Sequence, residues 1–142
     1  MSPERNLPMA LLVPDAAEEV VLQNFLNKVA PQDQKLKLYK NDYTPVEGST
    51  EANFTEADFT GYAEKALSGA NWTITPGAPT EAVYAQQTFT SSAGSQNQNV
   101  YGYFIVQGTS GKIMVAERFT DGPYNIVNNG DAIKVTPKIT CD

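Results

Sequence analysis

The chain of 142 residues has no histidine, one cysteine and two arginines. Without an imidazole, a serine or cysteine nucleophile lacks its usual base and a zinc site lacks its commonest nitrogen ligand. The single cysteine, Cys141, lies beside the C-terminus. It cannot form an internal bridge, so no disulfide framework is expected and the fold suits a reducing compartment. No glycine-rich loop precedes a helix in the manner of a phosphate cradle. No apolar run approaches the ~18–20 residues of a membrane span. Met9–Val13, between Pro8 and Pro14, is shorter than the ~7–15 residues of a signal core, so no membrane partner and no export are expected. Charge is scarce as well: 18% of residues are charged, against about 25% in typical soluble domains. Ten basic residues face sixteen acidic ones. A net charge of −6 repels phosphate backbones, so no nucleic-acid partner is expected. The densest basic run, Lys35, Lys37 and Lys40 between Asp33 and Asp42, reads as the solvated face of a strand.

What is present is enough for one domain. The length fits a single core that needs no metal or disulfide staple. Residues 1–14, with three prolines, read as an extended N-terminal arm. Residues 15–29 read as a helix. Asp15 with Glu18 resembles a capping box. Val21, Leu22, Phe25, Leu26 and Val29 recur on one face, and Pro31 follows as a stop. From there the period changes to two. Lys35–Lys40 alternates as a half-buried strand. Phe54–Phe59 reads as a helical turn capped by Thr55. Strands follow over 61–67, 71–75, 81–91, 100–106, 113–119 and 131–140, divided by Pro76, Gly77, Gly108–Gly111, Asp121–Pro123 and Asn128–Gly130. One helix and seven or eight short strands with regular turns predict a mainly β chain. The expected architecture is an antiparallel β-sandwich, jelly-roll-like or barrel-like, over 15–142, preceded by one α-helix.

Few constellations suggest chemistry. Glu51, Glu56 and Asp58 cluster, but no cleft is indicated for a glycosidase pair, and Thr55–Asp58 lacks the glycine of a calcium loop. No catalytic, cofactor or metal residue is assigned. Tyr62, Trp72, Tyr84, Tyr101, Tyr103 and Tyr124 suit a core, a subunit interface or a sugar platform. The Ser92–Gln98 loop offers only amides, hydroxyls and small residues. The run Val100–Val106 is apolar on both faces: alternation puts Tyr101, Tyr103 and Ile105 on one, and Val100, Phe104 and Val106 on the other. A sandwich strand ordinarily has one wet face, so one side is expected to pack the core and the other to meet a partner; the alternative is that the helix of the same chain covers the second face. The candidate interface residues are Val21, Leu22, Phe25, Leu26, Tyr101, Tyr103 and Ile105. The helix residues are expected to be buried on the sandwich or on a neighbouring subunit.

From Leu36 onward, over about three quarters of the chain, the sequence resembles a family of small virion structural proteins of tailed bacteriophages, of environmental and marine origin. The matching segments are Leu36–Pro45, Asn53–Tyr62, Tyr84–Thr90, Asn99–Tyr103 and Ala116–Phe119. The resemblance implies a particle component without enzymatic activity. With the size, acidity and helix-plus-β layout, it favours a capsid decoration, or cement, protein. Such a protein is made in the host cytoplasm and binds the major capsid protein on the outer shell. Cement proteins often occupy three-fold points, so a homotrimer is expected. A tail- or fibre-associated module that binds host-surface carbohydrate is the alternative.

Overall fold

A computed structural model describes residues 12–141. The arm expected over 1–14 lies outside the described residues apart from its last three. Leu12 exchanges both backbone hydrogen bonds with Ala116 at 3.1 Å, and Pro14 is buried.

Helix α1 spans Asp15–Phe25, ending four residues before Val29. The Lys28 N–H donates to the Gln23 carbonyl and the Asn27 N–H to the Asn24 carbonyl, with Asn27 at φ 55°. That is a left-handed C-terminal cap with asparagine in the usual glycine position. It closes the helix well before Pro31. The expected Asp15–Glu18 capping box does not form. Pro14 is the cap residue, no side chain caps the helix, and the Asp15 N–H donates to the Glu47 carbonyl instead.

The strands are β1 (Gln34–Tyr39), β2 (Lys65–Leu67), β3 (Thr73–Thr75), β4 (Thr80–Val83), β5 (Gln87–Thr90), β6 (Gln98–Val100), β7 (Gly102–Gln107), β8 (Ile113–Arg118), β9 (Tyr124–Ile126), β10 (Ala132–Val135) and β11 (Lys138–Cys141). Every strand pairing is antiparallel. The sheets run β2-β1-β7-β8, β11-β4-β3, β10-β5 and β6-β9. The chain is therefore mainly β with one helix near its N-terminus, and no barrel closes among the described residues.

Three strands read as continuous are broken. Residues 81–91 split into β4 and β5, and 131–140 into β10 and β11. The two halves form one bent ribbon whose register slips by one residue between Val135↔Gln87 and Lys138↔Val83. Pro137, without an N–H, sits at the bend, and its carbonyl accepts from Tyr84. The third break falls at Tyr101, between β6 and β7. The helical turn expected over 54–59 is absent too. A 3-10 turn occupies Glu51–Asn53, and 54–59 runs extended beside β1, with Lys40 N–H donating to Thr55 and Ala57 N–H to Leu38. Burial of Phe54, Ala57 and Phe59 overrides the local capping signal there.

Two apolar clusters lie on the two faces of the large sheet. Leu36, Leu38, Tyr103, Ile105 and Val115 meet Phe89, Ile133 and Val135 of the bent ribbon and Val100 and Ile126 of β6–β9, a sandwich-like core. On the reverse face Tyr39, Phe104, Val106, Ile113 and Ala116 are covered by Phe54 and, from α1, Ala16. Phe54 stacks on Phe104 at 4.8 Å and meets Tyr39 edge-on at 5.1 Å.

Candidate functional site

Helix α1 packs its less hydrophobic side inward. Ala17 and Val20 are buried, at 0% and 3% exposure, on the i, i+3 row that continues to Asn24. Val21, Leu22, Phe25 and Leu26 stand outside at 53%, 60%, 83% and 58%. The expected burial of these four on the chain's own sandwich does not occur. Alanine at 16 and 17 lets the helix approach β8 closely, whereas the bulky row would hold it away. Asn24 on the inner row leaves its Oδ1 buried without a hydrogen-bond partner. A Lys112–Glu19 pair at 3.1 Å ties the helix to the start of β8.

The β7 residues are placed differently. Tyr103 and Ile105 lie in the main core at 6% and 0% exposure, so they offer no surface to a partner. Tyr101 is half-buried and packs on the reverse cluster, with the Arg118 guanidinium 5.1 Å from its ring centre. Tyr101 and Tyr103 thus do not share a face, because the strand breaks between them. Both faces of β7 are covered within the chain: Gly102–Gln107 is buried throughout. The partner inferred from its double-sided hydrophobicity is replaced by Phe54 and the small residues of α1. The Tyr103 hydroxyl donates to Glu117 at 2.5 Å. Burial, then this carboxylate, pushes its pKa up.

The carboxylates of Glu56, Asp58 and Glu64 are paired with lysines. Lys35 meets Glu64 at 2.6 Å, Lys37 meets Glu56 at 3.0 Å and Glu64 at 3.1 Å, and Lys40 meets Asp58 at 2.6 Å. Burial pulls the Lys37 ammonium down, but hydrogen bonds and charge from Glu56 and Glu64 outweigh it, and its pKa lies above the ordinary value. The Lys35 hydrogen bond, then Lys37, holds the Glu64 carboxyl below its ordinary range. Lys40 and Gln98 do the same for Asp58. Lys35 and Lys37 of β1, with Lys40 just after it, are therefore a clasp on the 56–64 segment, not a merely solvated face. The basic run opposite an acidic stretch was the signal for it.

The Ser92–Gln98 loop also has an internal task. Gln96 Oε1 accepts from the Thr60 N–H at 2.8 Å and Gln98 Oε1 from the Asp58 N–H at 3.0 Å. Most of the aromatic set is internal: Tyr62 stacks on Phe89 at 5.6 Å, and Trp72 packs edge-on to Tyr84 at 5.2 Å. Tyr124 is the exposed member, at 37%, its ring 5.0 Å from Phe119. It opens onto a cleft of about 460 Å³ between β9 and β10, with Asn125, Asp131 and Lys134. Asp131 Oδ2 accepts from the Asn128 and Val127 N–H groups, which holds its carboxyl below the ordinary range.

Cys141 is exposed. Among the described residues, no three of His, Cys, Asp and Glu gather as metal ligands. No described helix is long and apolar enough to cross a membrane. No family model and no curated protein matches the chain.

Proposed function

We propose that the chain is a non-enzymatic structural protein of a phage virion, a decoration protein that binds the outer surface of the shell built by the major capsid protein and stabilises it. The observation that carries this reading is the helix face of Val21, Leu22, Phe25 and Leu26, held outward on a chain whose large sheet is covered on both faces. An apolar row of this kind marks a surface that is buried on assembly. The lysine pairing of Glu56, Glu64 and Asp58 supports it, because those carboxylates are committed to structure. Repetition over a symmetric shell lets each contact be weak. The protein is made in the host cytoplasm and resides on the virion.

The test is particle imaging together with binding of purified protein to emptied shells. The expected result is many symmetric copies on the shell, with Phe25→Asp reducing occupancy. A few copies confined to the tail would refute it. A second reading, a tail- or fibre-associated module for host-surface carbohydrate, is favoured by the Tyr124 cleft, which combines an exposed ring with amide, carboxylate and ammonium groups. Its volume lies within the range of small-ligand sites. A glycan array on which Tyr124→Ala abolishes binding supports that reading instead.

A further inference from the structure

The helix face has a counterpart elsewhere on the same chain. Across β3, β4 and β11, Ile74 stands opposite Ala82 and Ala82 opposite Ile139. This row, with Trp72 and Leu67, lines an apolar groove of about 280 Å³. Ile74 is 66% exposed. The sheet order β2-β1-β7-β8 sets Leu67 of β2 on one edge, whereas α1 packs against β8 on the other.

We propose that the partner of the helix face is this groove on a second copy of the chain, so that copies join head to tail, with Phe25 as the inserted side chain. The proposal rests on reading the helix face as an assembly surface. Three observations favour a second copy. First, knob and groove are different surfaces of one chain, the helix packing on β8 and the groove lying on β3, β4 and β11 beside Leu67 of β2, so pairing them joins successive copies by the same contact and closes into a ring or runs on. Second, the helix face is large enough for a stable contact. The exposed parts of Val21, Leu22, Phe25 and Leu26 amount to roughly 350 Å² of apolar surface. A standard interface buries about 800 Å² per partner, a little over half of it apolar, or roughly 450 Å². The helix supplies most of that. Third, the charges are complementary. Lys28 follows Phe25 by three residues, and Asp33 lies beside the groove, its Oδ1 accepting at 2.7 Å from the N–H of Gly69, which lines it. Neither has an ion-pair partner among the described residues.

The test is sedimentation velocity on the full chain from micromolar to millimolar concentration, with Phe25→Asp and Ile74→Asp. Both sites are exposed, so both variants are expected to fold, which circular dichroism checks. Wild type is expected to self-associate, and each variant to weaken association by roughly 10–100-fold, the equivalent of losing one buried apolar side chain. Mixing the two variants is expected to restore one good contact, since Phe25→Asp keeps its groove and Ile74→Asp keeps its helix. The product is a one-to-one dimer that grows no further. Wild type that stays monomeric at millimolar concentration overturns the proposal. So does Ile74→Asp that associates like wild type, which would indicate helix-on-helix pairing. Shell binding separates this from the broader reading. If Phe25→Asp loses the shell while Ile74→Asp binds as wild type, the helix meets the capsid protein rather than a second copy. In that case decoration stands and the head-to-tail contact fails.

Discussion

Phe25→Ala is expected to leave the stability of the dilute, isolated chain within about 0.5 kcal/mol of wild type. The side chain is 83% exposed, so about a sixth of its surface is out of water. On a ring of about 200 Å² that is roughly 35 Å², or about 0.9 kcal/mol at 25 cal/mol/Å². Alanine's better helix propensity offsets about 0.5 kcal/mol of this. Phe104→Ala is the control. Phe104 is 3% exposed and stacks on Phe54 at 4.8 Å, and its truncation leaves a cavity between the large sheet and the 54–59 segment. The expected loss is about 3–5 kcal/mol. Urea denaturation followed by circular dichroism measures both, at concentrations too low for self-association. A loss above about 2 kcal/mol for Phe25→Ala, independent of protein concentration, would show that the helix face is packed within one chain and refute the argument. A loss that appears only as concentration rises reports binding between copies, because association stabilises the folded form by mass action.

Three further outcomes follow from the same structure. Glu64 and Asp58 have lowered pKa values, so their contribution is complete above the unfolded values near pH 4 and is lost as pH falls through the folded ones; the urea midpoint should be flat near neutrality and drop below about pH 4.5, less steeply in Glu64→Gln. Gly102→Ala should cost about 3 kcal/mol or more, because its Cβ would lie 2.1 Å from the Glu117 carbonyl and 2.5 Å from the Tyr39 hydroxyl; a thermal melt matching wild type would contradict that register. Asn24→Ala should be neutral or stabilising by up to about 1 kcal/mol, since it removes the unpartnered Oδ1 and improves helix propensity; a clear loss of melting temperature would mean that Oδ1 has a partner.

The class of the fold was legible in the chain itself. A single amphipathic stretch at 15–29, then alternating segments divided by glycine, proline and asparagine, is enough to specify one helix and an antiparallel β domain, because both periodicities are local properties of the backbone. The early end of α1 was masked, because the apolar period runs on to Val29 and Pro31 offers a later stop; its signal was Asn27, whose tolerance of positive φ makes it a natural helix stop. Other features depended on neighbours far away in sequence. Phe54–Phe59 carries a local cap signal, yet runs extended because β1 offers it a ladder and the core accepts its phenylalanines. The doubly apolar β7 needs no partner, because Phe54 and Ala16 reach its second face. Sequence periodicity also marked Val21, Leu22, Phe25 and Leu26 as a face to bury without saying against what. Side-chain bulk settled the helix's own orientation: Ala17 and Val20 permit close packing on the sheet, and that contact turns the larger residues out to solvent.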